Sequence, residues 1–459
     1  MHPNRKDGTR CLVGRDGPVF FEASCAQIFI RVIGVAVLFH LLYVTYLSEQ
    51  WAYMGFHLLP VSVWGIVLTY IMSICPALLL PRRSRRRAIL VFFVLYYLVY
   101  VPSEFCLLFA SGELEGNVSI QIVLGVGFGL VAWSFRLRAH SVNVSPTTWW
   151  VFVSGIVMLC GLCLVLILRI GVENIEFVSF FEASGLRRER DEAGLLRIFS
   201  SGYLISWVTY VVAPISIIIG LIRKRFFYVG LGFLIELTIF AATTNKFALL
   251  TAPFIVVSWF ICRRDDGRVA VKYVSWGSVL LFGVTLVSNA ALGVPNWFEQ
   301  ILSFFVMRYF GYQGMSTVLY AKFAENNNYT YWSHVRGIAA IVDYPFDEAV
   351  PWVLGSYWAN KVGVSAPSHP WAQDGLLAAG LFGIIVISVV VAVCFWVTDS
   401  MTVRIRTDVL VPLLLIQGIM LSESSMFTQL LSNGWALLCV VACVAPRVFL
   451  VGNANSHAG

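Results

Sequence analysis

Apolar windows long enough to cross a bilayer recur along almost the whole chain, and no other feature restricts its fold as strongly. A hydrocarbon layer roughly 30 Å thick takes about 20 predominantly apolar residues of helix. Such windows lie near 26–47, 56–80, 88–110, 118–135, 148–169 and 202–222, then near 226–243, 247–262, 273–293, 374–397, 408–423 and 434–451. Of the residues 59% are hydrophobic and only 12% charged, where a soluble domain carries about 25% charge. The pattern predicts an all-α polytopic membrane protein of about 12 transmembrane helices, one integral membrane domain spanning 1–459.

The basic residues orient it. Clusters at Arg82–Arg87, Arg136–Arg138, Arg223–Arg225, Arg263–Arg268 and Arg404–Arg406 all fall between apolar windows. With a cytoplasmic N-terminus they all lie on the cytoplasmic side, as connectors enriched in Lys and Arg do. Both termini are then cytoplasmic, and the acidic 112–116 turn is external. This periodic placement argues against nucleic-acid binding. Met1–Glu22 is polar and the first window begins near Cys25, so no cleavable signal peptide is visible. Seven of the cysteines, Cys75, Cys106, Cys160, Cys163, Cys394, Cys439 and Cys443, fall inside apolar windows and read as packing residues. Cys160-Gly-Leu-Cys163 has redox spacing but no nearby His, so no metal or disulfide is expected.

Two outer segments exceed a simple turn: 170–201, and a long polar, aromatic-rich break at 294–373, expected to hold short re-entrant or amphipathic helices. Few charges lie at membrane depth. Glu236 and Arg31 are the main ones, and Arg31 is within reach of the inner face. That scarcity counts against an ion-coupled carrier.

Chemistry is therefore sought on the outer side. In the first outer segment Arg187, Arg188 and Arg190 crowd together where the positive-inside rule does not explain them. Planar guanidinium groups suit phosphate oxygens; a solvated helix neutralised by Glu189, Asp191 and Glu192 is equally open. Lys246, at the turn Ala242–Lys246 between two short windows, is either a point charge for an anionic head group or an interfacial anchor. The long break supplies Arg308 beside Tyr309 and Tyr312, then Tyr329, Tyr331, Trp332, His334 and Arg336, then Tyr357, Trp358 and Asn360. Exposed aromatic rings stack on sugar faces while Asn and Arg bond hydroxyls; an interfacial aromatic belt explains part of the same density. The break ends in Ser368-His369-Pro370-Trp371-Ala372-Gln373-Asp374-Gly375. This places Asp374 at a helix N-terminus, where the macrodipole favours its charge, and offers His369 as an acid–base group. No Walker loop, HExxH, glycine fingerprint or serine-hydrolase spacing accompanies them.

In order, these pieces resemble the bacterial O-antigen polymerase (oligosaccharide repeat-unit polymerase) family. Four stretches between 180 and 385 carry the likeness: the arginine-bearing segment followed by Gly202-Tyr203-Leu; the lysine turn Thr244-Asn245-Lys246, where the family more often has a Gly-Lys-Ser-like turn; Arg308 with the run through Gly314 and Tyr320; and Trp371-Ala-Gln-Asp374-Gly with Gly380-Leu-Phe-Gly383. The resemblance implies a GT-C-like membrane glycosyltransferase of the bacterial inner membrane. A growing glycan on undecaprenyl diphosphate would be transferred to a lipid-linked repeat unit at the periplasmic face, with inversion and without a metal or other cofactor. A chain-length-regulating co-polymerase and a flippase are the implied partners, besides membrane lipid. Arg308, Asp374 and His369 are the expected catalytic residues. Arg187, Arg188, Arg190, Lys246, Arg336, Tyr203, Tyr357, Trp358, Asn360 and Trp371 are the expected contacts to diphosphate and glycan. The related O-antigen ligase, with His334 or His369 in play, and a lipid-linked oligosaccharide flippase are the alternatives.

Overall fold

The computed structural model describes residues 19–112, 117–142, 144–170, 201–263, 270–290, 296–359 and 365–450. They form an all-helical bundle, with one short antiparallel pairing of Phe21–Glu22 against Arg83–Ser84. Among the described residues eight helices are long and apolar enough to cross a membrane: Cys25–Gln50, Ile89–Phe109, Asn117–Ser134, Tyr203–Arg223, Phe226–Thr243, Ala270–Asn289, Pro370–Thr402 and Met426–Cys443. Four shorter apolar helices, Val63–Leu78, Trp149–Val165, Lys246–Cys262 and Thr407–Ser422, stand beside them. Each overlaps one of the apolar windows, although Met426–Cys443 is displaced toward the N-terminus of the window expected at 434–451. In a lipid-facing chain the helix is the structure that satisfies its own backbone, so hydropathy alone locates it. The most enclosed is Ile89–Phe109, ringed by neighbours and carrying Tyr96, Tyr97 and Tyr100 fully buried. Pro76 leaves the Met72 carbonyl of its own helix without the usual N–H, and Tyr100 supplies a hydroxyl to it at 2.6 Å.

Basic connectors gather at one end of the bundle. Arg136 donates to the Leu79 carbonyl, Arg404 to that of Val144, and the Arg138 carbonyl accepts from Trp396. Two members of the first cluster are not solvated at all. Arg86 and Arg87 are buried: the Arg86 guanidinium meets Asp399 at 2.7 Å, and the other Asp399 oxygen accepts the Arg87 and Ala88 N–H groups at 2.7 and 2.9 Å. That carboxylate closes the start of the Ile89–Leu95 helix while it neutralises the arginine. Intramembrane charge is also less scarce than expected, because Glu104 and Asp399 are buried within spans alongside Glu236.

The break at 294–373 departs most from a loop. Asn296–Val306, a π turn at Met307–Gly311 and Tyr312–Asn326 run on as a single long helix. Its second half is inside the bundle, packed on Val101–Phe109. Small residues allow this: a Cβ on Gly314 would meet the Pro102 carbonyl at 2.6 Å, and the Ser103 and Thr317 hydroxyls bond at 2.6 Å. Polar by composition, this face is buried with the Ser316 and Thr317 hydroxyls bonded to the Pro367 carbonyl and to Ser103, while the Gln313 amide is buried with no partner among the described residues. Only after Asn326 does the segment become irregular, with the short helices Arg336–Ala339 and Val350–Ala359.

The Pro370–Thr402 helix is really two. Ala379 (φ −158°, ψ 32°) and Gly380 (φ 61°, ψ −141°) leave helical conformation, so the chain turns sharply between Pro370–Ala378 and the helix that follows. The two arms touch, since a Cβ on Gly375 would lie 3.3 Å from Ile384 Cα and one on Gly383 would run into the Gly375 carbonyl. Pro370–Ala378 is thus a short re-entrant arm laid against the helix it precedes.

Candidate functional site

At the end of the bundle opposite the basic connectors, the re-entrant arm, the long helix, the lysine turn and the connector 423–425 converge. The convergence starts at Gly380. Where the chain breaks, the Leu377 and Ala378 carbonyls lose their helical donors and accept instead from the N–H groups of Thr330 and Tyr331, each at 3.0 Å. This pins a tight turn in which Tyr331 and Trp332 hold φ of 44° and 60°. Left-handed backbone at two consecutive bulky residues costs on the order of 1–3 kcal/mol each and persists here because the turn is fixed at both ends. Trp332 Nε1 donates to the Asp374 carbonyl at 2.8 Å, and His334 Nε2 meets Asp374 Oδ1 at 2.9 Å. The other carboxylate oxygen accepts the Met426 N–H at 2.6 Å.

Asp374 is therefore not at the start of its own helix, as expected. It lies within the π turn Pro370–Leu376 and closes the N-terminus of a different helix, Met426–Leu431. His369 takes the N-cap position instead. Its Nδ1 accepts the Ala372 N–H at 3.2 Å and its Nε2 lies 3.0 Å from the Thr317 hydroxyl. Burial pushes the His369 imidazole down to about 3, so it is a neutral hydrogen-bonding group. Both ring nitrogens of His369 and both oxygens of Asp374 are already engaged.

Arg308 lies on the other π turn, Met307–Gly311, a local widening of the helix of the kind found often at functional sites. Its guanidinium pairs with Glu423 Oε2 at 2.8 Å and stacks over Tyr312 with 5.0 Å to the ring centre. Burial works against the Arg308 charge, but Glu423, with Tyr312 and Tyr309, more than offsets this and holds its pKa above the ordinary arginine value. Burial likewise pushes the Glu423 carboxyl above the usual carboxylate range, although Arg308 pulls it back. Lys246 is near enough for its charge and that of Arg308 to repel. Two cations held close together favour a ligand with more than one negative charge.

Behind this pair runs a buried chain of amides and hydroxyls. Asn245, the N-cap of Lys246–Cys262, donates to the Tyr210 hydroxyl at 3.2 Å; Gln417 reaches the Tyr210 carbonyl at 3.4 Å; Gln429 donates to Gln417 at 2.6 Å; and Asn433 donates to Gln429 at 2.8 Å and to Ser424 at 3.2 Å. A network of satisfied amides at this depth fixes the lysine turn and the 423–425 connector relative to each other.

Of the residues expected from sequence, Arg308 and Lys246 approach each other, and Asp374 is tied to them only through the connector, by its bond to the Met426 N–H three residues after Glu423; His369 caps the arm that carries Asp374. Trp371 goes elsewhere. It is 1% exposed, stacked on Phe128 at 4.1 Å and bonded to Ser388, so it locks the re-entrant arm to the bundle and presents no face to a sugar. Tyr357 is 82% exposed. Trp358, on the same helix, donates to the Met54 carbonyl at 3.0 Å and packs on Tyr312. Tyr203 is half-buried at the start of its span. Arg336 opens the short Arg336–Ala339 helix, while Arg187, Arg188, Arg190 and Asn360 lie outside the described residues. Sequence reasoning missed Glu423, which it took as the end of an apolar window, and did not pair His334 with Asp374. A signal was present for the former: Glu423 is the lone acid in the polar run Ser422-Glu-Ser-Ser425, which interrupts the end of the 408–423 window. Among the described residues no group of three or more His, Cys, Asp or Glu side chains is placed to hold a metal ion. Comparison with protein-family models, curated proteins and solved structures finds no match for this chain.

Proposed function

We propose that this membrane protein is a polysaccharide polymerase of the O-antigen type, acting at the periplasmic face of the bacterial inner membrane. In this reading about twelve spans form a GT-C-like scaffold with both termini cytoplasmic. Glycan on undecaprenyl diphosphate is the donor, a lipid-linked repeat unit the acceptor, and a co-polymerase and flippase are partners. The observation that carries it is the approach of Arg308 and Lys246 at one end of the bundle, beside Glu423 and the tyrosines 309 and 312.

The chemistry asks for this arrangement. Glycosyl transfer from a lipid diphosphate develops negative charge on the departing phosphate, which preorganised cations stabilise without a strong acid. Arg308, held by a carboxylate and an aromatic face, is preorganised in that sense, and Lys246 adds a compact second charge. The Arg308 side chain is 33% exposed, so a phosphate oxygen can approach it beside Glu423. The His334–Asp374 pair favours a second reading, the O-antigen ligase, because a histidine oriented by a buried carboxylate is equipped to take a hydroxyl proton.

Purified protein supplied with undecaprenyl-diphosphate-linked repeat units is expected to build a ladder of products. Arg308→Ala is expected to lower the rate by about 10²- to 10³-fold, the usual cost of losing one charge-stabilising group. In cells, loss of a polymerase leaves one repeat unit on the lipid core; bare core would instead select the ligase.

A further inference from the structure

We infer that Glu423 is the catalytic base of this site: its Oε1 receives the acceptor hydroxyl while Arg308, bound to its Oε2, holds the donor diphosphate. The inference rests on the glycosyl-transfer reading above and adds a residue to it. Three observations carry it. Glu423 sits at the end of Thr407–Ser422 on the short connector to Met426, so its position is set by two helices and not by a mobile side chain. One oxygen is committed to Arg308 at 2.8 Å. The other is buried and has no hydrogen-bond partner among the described residues.

A buried carboxylate oxygen without a donor costs about 1–3 kcal/mol or more, and a substrate hydroxyl supplies the missing proton donor. The two bases expected from sequence lack that free valence. Asp374 spends both oxygens on His334 and the Met426 N–H, and His369 spends both nitrogens on Thr317 and the Ala372 N–H. These two position the connector and the re-entrant arm.

One guanidinium then spans the two reactants. The acceptor oxygen bonds to the anomeric carbon as the bond from that carbon to the phosphate oxygen breaks. The bonding pair departs on the diphosphate beside Arg308 and Lys246, and the hydroxyl proton passes to Glu423 Oε1. The charged and titratable groups around Glu423 are Arg308, Tyr309 and Tyr312 on the long helix, with Lys246 beyond Arg308. On its own side the His334–Asp374 pair adjoins Met426. Burial raises the Glu423 carboxyl, which brings a base of this kind nearer to neutral pH.

The test is kinetic, on the full chain in detergent or vesicles with lipid-linked repeat units. Glu423→Gln keeps an oxygen for Arg308 and removes the base. It is expected to lower kcat by about 10²- to 10⁴-fold with KM and inorganic pyrophosphate affinity little changed, while Glu423→Asp retains part of the rate. The wild-type rate is expected to fall on acidification with a midpoint above the ordinary carboxylate range, and His334→Asn should keep that limb. A Glu423→Gln enzyme polymerising at the wild-type rate overturns the assignment, as does loss of the acid limb in His334→Asn but not in Glu423→Gln. Should Glu423→Gln fail to fold, the limb measured in wild type and His334→Asn decides alone. If wild-type protein builds no ladder at all, the polymerase reading fails first and the base falls with it.

Discussion

The closeness of the re-entrant arm to its own helix makes Gly383→Ala the most revealing substitution outside the site. A Cβ there would collide with the Gly375 carbonyl, which is backbone and cannot rotate away. Relief needs the arm to retreat by on the order of 1 Å, or the helix to bend, at a usual overpacking cost of about 1–3 kcal/mol. Retreat carries the neighbouring Asp374 with it. Its bonds to His334 at 2.9 Å and to the Met426 N–H at 2.6 Å would then stretch past hydrogen-bonding range. Bonds to a charged group contribute about 1.5–3 kcal/mol each. Because the chain adopts the cheaper compromise, the expected loss is about 2–4 kcal/mol. Thermal unfolding of the detergent-solubilised protein measures it. Gly230→Ala and Gly277→Ala are the controls, since a Cβ at either meets nothing within 4 Å. Both lie inside helices, where Ala in place of Gly gains about 0.5–1 kcal/mol. If Gly383→Ala unfolds with the controls, the arm does not lie against the helix as described, and the account of how Asp374 reaches Met426 is wrong.

Two further outcomes are expected. Asp399→Asn leaves Arg86 as a buried, uncompensated cation and should cost about 3–5 kcal/mol, read as a lowered unfolding temperature in detergent; wild-type stability would show that Arg86 finds another partner. His369 is neutral in the fold down to about pH 3 but charges near 6.5 in the unfolded chain. The unfolded state therefore binds more protons between those values, and stability is lost as pH falls. From pH 6.5 to pH 5 the loss is about 2 kcal/mol, measured by denaturation across that range. His369→Asn, which keeps an N-cap acceptor, should flatten the dependence, and an unchanged slope would assign it to other groups. Glu423, with its carboxyl raised, contributes in the opposite sense, with stability present at low pH and lost as pH rises, so the comparison of the two proteins isolates His369.

Hydropathy and periodicity by themselves determined where the helices lie, because a chain solvated by lipid has no other way to satisfy its backbone. They also marked Arg308, Lys246 and Asp374 as polar residues out of place; Lys246 lies within charge range of Arg308, while Asp374 binds His334 and the Met426 N–H beyond Glu423. The local rules failed where a residue's partner is distant in sequence. Arg86 and Arg87 read as solvated connector residues until Asp399, more than three hundred positions later, is brought beside them. Tyr312–Asn326 read as loop because its hydroxyls look solvent-seeking in sequence; Ser103 and the His369 ring satisfy Thr317 inside the bundle. Trp371 read as a sugar platform, and Phe128 covers its face. Only tertiary structure decided which of the carboxylates at this end of the bundle, Asp374 or Glu423, keeps a free oxygen. Any acid near a membrane surface can serve as a base in principle, and the choice depends on which hydrogen bonds its neighbours have already taken. Asp374 has given both its oxygens to hold the fold, and Glu423 has given one.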